Sequence, residues 1–162
     1  MRLYTFTNMY LSPIQRGIQS AHVTHDLFVK YNEYIDFEMK EQLFDWAENH
    51  KTMIVLNGGY SSTLFSLIDL FDDPRNPYPF THFNESEEAL CGALTCVGIV
   101  LPEKIYETAA LIRKDPTVYD KIVTNGELWR EPSATIHGED VVWNFNGFEL
   151  NLIQELNNYG LA

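Results

Sequence analysis

The chain has 162 residues, 45% of them hydrophobic and 14% aromatic, which is enough to build one domain with a real core and to exclude wholesale disorder. Lysine and arginine number 11 against 23 aspartates and glutamates, a net charge of −12. A field of that sign repels phosphate backbones, so tRNA or DNA is a partner only if a local basic groove exists, and a protein partner is the easier expectation.

Arg2 to Met9, with Leu3-Tyr4-Thr5-Phe6-Thr7 at its heart, predicts a first strand. Ser12-Pro13 then opens a helix that runs to about Lys30, with Ser at the N-cap and Pro at the first helical position. A second helix is expected over Asp36 to Asn49, with Phe37, Met39, Leu43, Phe44 and Trp46 on its apolar side. Lys51 to Leu56 reads as a strand whose unbroken apolar run suits a central position covered on both faces. Asn57-Gly58-Gly59 ends it, and Ser61-Ser62-Thr63 supplies capping groups for a helix holding Leu64, Phe65, Leu67, Ile68 and Leu70. Pro79 to Phe83 is a short strand whose leading proline places it at an edge. Leu94 to Leu101 is a further strand, and Pro102-Glu103 starts a helix to about Arg113.

This order implies an α/β fold: a small mixed four-stranded sheet with helices on both faces. Residues 1–114 form that domain. Residues 115–162 read as a C-terminal α+β extension packed on it, with a helix near Tyr119, a strand over Val141 to Phe145 and a helix over Phe148 to Leu156.

Cys91 and Cys96 make no disulfide framework, and no Cys/His cluster has zinc spacing, so neither metal nor cofactor is expected. Met1-Arg2-Leu3 runs into a strand rather than an apolar leader, and nothing approaches the roughly 18 apolar residues of a membrane span. A cytoplasmic protein without a membrane partner is the expectation, with the oligomeric state left open.

The first helix carries the most informative pattern. At about 100° per residue, Gln15, Gln19, His22 and Asp26 share a narrow arc, at a spacing usually given to apolar core contacts. The plain interpretation is one wet helical face. The chemical interpretation is that Asp26, one turn on, accepts a hydrogen bond from His22 and fixes its tautomer. His22 and His25 lie three apart, but no second ligand pair completes a metal site.

Other motifs carry less. Gly58-Gly59-Tyr60-Ser61-Ser62-Thr63 offers backbone N–H groups at a helix start but lacks the Gly-Lys-Ser/Thr ending of a P-loop, so ordinary capping is favoured over a phosphate seat. His22-Val23-Thr24 is half of a two-histidine phosphoesterase pattern, and His50, His82 and His137 do not supply the other half. The Gly-x-Ser-x-Gly elbow that Ser61 or Ser62 would need as nucleophile is absent. Trp129, Trp143 and Phe145 are expected in a core rather than as stacking platforms, since basic interleaving is missing.

Leu11-Ser12-Pro13-Ile14-Gln15-Arg16-Gly17-Ile18-Gln19-Ser20-Ala21-His22 resembles the first-helix signature of type 2 peptidyl-tRNA hydrolases, in which a lysine or glutamine and an Ala-rich stretch precede Gln-x-x-His. Lys51 to Leu56 is similar to that family's second strand, the helix after Ser62 to the one that follows, and Leu94-Thr95-Cys96-Val97-Gly98-Ile99 to its late strand with a threonine. The resemblance spans about residues 1–113. It implies hydrolysis of the ester joining a peptide to the tRNA 3′ end, with His22 as proton acceptor and Gln19 and Thr95 positioning water or carbonyl. Gln15, Asp26 and Glu85 would line the pocket.

The chain departs from the pattern in three ways. Catalytic members carry a lysine near Gln15 and an aspartate before the late strand, where Glu85 is the candidate substitute, and they have a basic surface for tRNA. This chain is closer to relatives with glutamine at the lysine position, which lack clear activity. The alternative is an acidic protein-binding accessory or inhibitory factor, viral factors included, on the same scaffold.

Overall fold

The computed structural model describes residues 1–32, 36–126 and 144–162, in two compact units: residues 1–101 with 159–162, and residues 102–158. The first unit is the four-stranded mixed sheet with helices on both faces. Its strands are β1 (Arg2–Thr7), β2 (Met53–Asn57), β3 (Phe80–Asn84) and β4 (Leu94–Leu101), in the spatial order β2-β1-β4-β3. β1 pairs in parallel with β2 and antiparallel with β4, and β4 pairs antiparallel with β3. β1, β2 and β3 therefore all end on the same side of the sheet.

Helix α1 (Pro13–Asn32) covers one face. Its Val23, Leu27 and Tyr31 are buried against Leu3, Cys96 and Val100, with Leu43 and Trp46 completing the cluster. Each aliphatic side chain taken fully out of water there contributes roughly 1.5–3 kcal/mol. Gly98 lets the helix approach closely, since a Cβ at that position would lie 2.3 Å from Val23 Cγ1. Below the apolar layer the Thr5 and Ser20 hydroxyls, both fully buried, bond at 2.9 Å.

Helix α3 (Ser61–Phe71) covers the other face through Leu64, Leu67 and Phe71, the last ring lying 6.1 Å from Phe6 and 5.8 Å from Phe80. Helix α2 (Phe37–Asp45) is capped by Asp36, whose side chain accepts from the Met39 N–H, and continues through a π-helical turn, Trp46–His50. That turn closes on Lys51, which adopts the left-handed conformation. A single-turn helix, α4 (Glu87–Leu90), lies between β3 and β4.

Two sequence expectations need correction. β2 is an edge strand, not a central one. Of its apolar run only Leu56 is buried and Met53 is exposed, while residues 160–162 pair with its outer side: Asn57 N–H donates to the Gly160 carbonyl and Ala162 N–H to that of Val55. The strand buried along its whole length is β4. Nor do Ser61, Ser62 and Thr63 cap α3: its N-cap is Tyr60, which makes no side-chain cap.

The second unit is helical in its described residues: α5 (Glu103–Lys114), α6 (Thr117–Gly126) and α7 (Gly147–Leu156). α5 packs on both of the others. Asn146 and Glu149 form a capping box at the start of α7, and the buried Glu149 carboxylate pairs with Lys104. Phe145 is buried, as expected of a core residue. Trp129, His137 and Trp143 lie outside the described residues, as does most of the strand expected over Val141 to Phe145. Among the described residues no helix is long and apolar enough to cross a membrane.

Candidate functional site

The candidate site lies where β1, β2 and β3 end. Ligands of open α/β sheets collect outside the carboxyl ends of parallel strands, where successive connections leave for opposite faces. Here the connection after β1 leads to α1 on one face, and that after β2 leads to α3 on the other. Asn8, just past β1, ties this rim together: its Nδ2 donates to Ser61 Oγ at 3.1 Å and to the Leu94 carbonyl at 3.4 Å. The turn after β2 needs a left-handed residue, and Gly59 supplies it at φ +74°.

α1 carries the polar stripe past this rim, but its members do different work. Gln19 is buried and its Nε2 donates to Glu85 Oε1, joining the first helix to the segment after β3. Gln19 Oε1 is buried without a hydrogen-bond partner among the described residues. His22 is exposed and its ring stands edge-on to Phe83 at 4.5 Å. Thr95 Oγ1 donates to the Phe83 carbonyl at 3.3 Å. Phe83 opposes Cys96 while Asn84 opposes Leu94, so Thr95 is the extra residue of a β-bulge at this end of the sheet. Bulges bend a strand and re-aim its side chains, and they recur beside functional sites. Gln19 is thus linked directly to Glu85, and His22 to Thr95 through Phe83.

Gln15 and Asp26 stand apart. Gln15 Oε1 accepts from the Ser12 N–H at 2.9 Å while Ser12 Oγ accepts from the Gln15 N–H at 3.4 Å, a reciprocal capping box at the start of α1. The amide that shares an arc with Gln19 is therefore folded back on its own helix. Asp26 makes no hydrogen bond to His22 among the described residues, so the imidazole is held by Phe83 and not by a carboxylate.

The cationic side chains of α1 are also spoken for. Arg16 braces the loop before the helix, donating to the Leu11 and Met9 carbonyls. Lys30 donates to the Phe80 carbonyl and lies 4.2 Å from the Phe80 ring centre. Burial pulls the Lys30 ammonium below its ordinary range, with Asp72 acting in the opposite sense. Burial pushes the Cys96 thiol up to about 12, against a smaller effect of its hydrogen bond with Ser20, so it is no nucleophile at neutral pH. Among the described residues no group of three or more His, Cys, Asp or Glu side chains is placed to hold a metal ion.

No protein-family model and no curated protein matches this chain.

Sequence reasoning missed Asn8 and Phe83. Asn8 had a readable signal, since an Asn directly after a strand and before Ser-Pro suits a side chain that bonds local backbone; its Oδ1 accepts from the Tyr10 N–H. Phe83 had none, because its role depends on a helix some sixty residues away in sequence.

Proposed function

We propose that this chain is a type 2 peptidyl-tRNA hydrolase-like protein whose altered pocket binds without turning substrate over. One observation carries the reading. Near where catalytic members of that family carry a lysine this chain has Gln15, and its side chain is committed to the capping box with Ser12. Two further facts agree with it: among the described residues no carboxylate orients His22, and Arg16 and Lys30 point into carbonyl groups instead of a phosphate path. An ester hydrolase needs a poised base and donors for the developing oxyanion, and a tRNA enzyme also needs free cations.

Purified full-length protein incubated with peptidyl-tRNA is expected to release no tRNA above background, in the wild type as in His22→Ala. Turnover in the wild type that disappears in His22→Ala would overturn this reading in favour of a residual hydrolase. That second reading draws on Gln19 Oε1, a buried acceptor with no partner among the described residues, on the same helix as His22 and one turn before it.

A further inference from the structure

Successive residues of β2 turn their backbone groups to alternate sides. On the inner side Leu3 N–H takes the Thr52 carbonyl and Gly58 N–H takes that of Thr7, so Met53, Val55 and Asn57 present theirs to the outer side. Residues 160–162 lie along that outer side as an antiparallel segment, with Leu161 opposite Leu56. Two bonds attach it there, from Asn57 N–H to the Gly160 carbonyl and from Ala162 N–H to the Val55 carbonyl, each at 3.0 Å.

The hold is slight. Leu161 is 80% exposed, Gly160 and Ala162 are also exposed, and a Cβ on Gly160 would meet nothing within 4 Å. Tyr159 is the partly buried member of the segment, its ring edge-on to the fully buried Phe6 at 4.9 Å between centres. Fixing four residues costs conformational entropy of the same order as two backbone bonds and one ring contact return. A segment so held opens locally without unfolding the sheet beside it. The edge is also longer than its cover. Among the described residues the segment's bonds stop at Val55, and the next outward position is Met53, which is exposed.

We propose that the outer edge of β2 is a strand-addition site for an extended peptide with an aromatic anchor, and that Tyr159–Ala162 is a displaceable strap occupying it. The strap defines the partner's chemistry. An aromatic residue sits against Phe6, the residue two positions later faces Leu56, and the main-chain bonds to Asn57 and Val55 accept any sequence. The position between them tolerates a side chain, because open space lies where a Gly160 Cβ would be. A partner two residues longer than the strap gains further backbone bonds at Met53. That gain is what lets it compete with a segment tethered beside its own site.

The probe is a fluorescein-labelled octapeptide, Asn-Asn-Tyr-Gly-Leu-Ala-Thr-Val, which repeats residues 157–162 and adds two to reach Met53. Full-length protein should bind it weakly. Ala162→Pro should bind it at least about tenfold more tightly, because the lost N–H releases the strap from Val55. The peptide with Tyr replaced by Ala, or with its alanine N-methylated, should bind at least about tenfold more weakly than the parent. Hydrogen exchange on the wild type needs no variant: Asn57 N–H should exchange at least about a hundredfold faster than the amides of β1, and slow when peptide is added. No binding to either protein, or binding indifferent to N-methylation, would overturn the strand-addition site. Equal affinities for wild type and folded Ala162→Pro would overturn the strap. So would an Asn57 amide as protected as those of β1, whether or not the variant folds.

Discussion

The inner side of α1 carries Val23, Leu27 and Tyr31, and its outer side carries Ile14, Ile18 and Val29. Both sides are apolar and both recur at helical spacing. The inner one is sealed against Leu3, Cys96 and Val100, and the outer one stands in solvent. Periodicity marks a helix in either case. It does not say which apolar side meets the sheet and which is left in solvent, because that is decided by strands paired from distant parts of the chain.

Five measurements test this contrast. The largest effect is expected in thiol labelling. Cys96 lies beneath the inner side with its thiol raised from an ordinary 9.0 to about 12, a thiolate fraction about a thousandfold smaller at neutral pH, whereas Cys91 is exposed. Cys91 should react at once and Cys96 only after unfolding; equal rates would mean the inner side is open. The folded thiol keeps its proton to higher pH than the unfolded one. Stability should accordingly fall as pH rises from 9.0 towards about 12, and Cys96→Ala should flatten that part of the profile.

Leu27→Ala comes next. It should cost about 2–5 kcal/mol in denaturant unfolding, while Ile18→Ala on the outer side stays within about 0.5 kcal/mol. Similar costs would erase the distinction between the sides. Gly98→Ala should destabilise by roughly 1–3 kcal/mol, because its new methyl group meets the short, branched and buried Val23, which has no room to retreat. The smallest effect has the opposite sign. Gly17→Ala adds a methyl group in open space on an exposed helix and should stabilise the protein by about 0.5–1 kcal/mol, read as a rise in melting temperature. A loss of stability there would show that the outer side is already packed.

What was legible in the sequence follows the range of the forces involved. Ser12-Pro13 announces the start of α1 because a cap and a fixed φ act over three residues. The apolar, β-branched run at Leu94 to Leu101 announces a strand for a similar reason, though not that it is the one buried along its whole length. Lys51 to Leu56 misled, since an apolar run has the same composition in a central strand and in an edge strand such as β2, where only Leu56 is buried.

The candidate site shows the same division. Helical spacing put Gln15 and Gln19 together, yet Ser12-x-x-Gln15 was itself a readable capping signature, and local chemistry claimed the first glutamine before the pocket could. Glu85 was named only as a substitute for an aspartate. Its bond to Gln19 closes a loop of 66 residues, and the bulge at Thr95 depends on the register between β3 and β4. Neither is a property of any short window.

The pairing of residues 160–162 with β2 also sets a timetable. Roughly a hundred residues separate the two partners, so at ribosomal speeds of about 5–20 residues per second the free edge of β2 waits on the order of 5–20 s for its cover. For that interval the nascent chain displays Met53-Ile54-Val55-Leu56 with open backbone donors and acceptors, a template on which another unfinished chain can pair. The sheet is most vulnerable while it is being made, and the last segment described here is what ends that exposure.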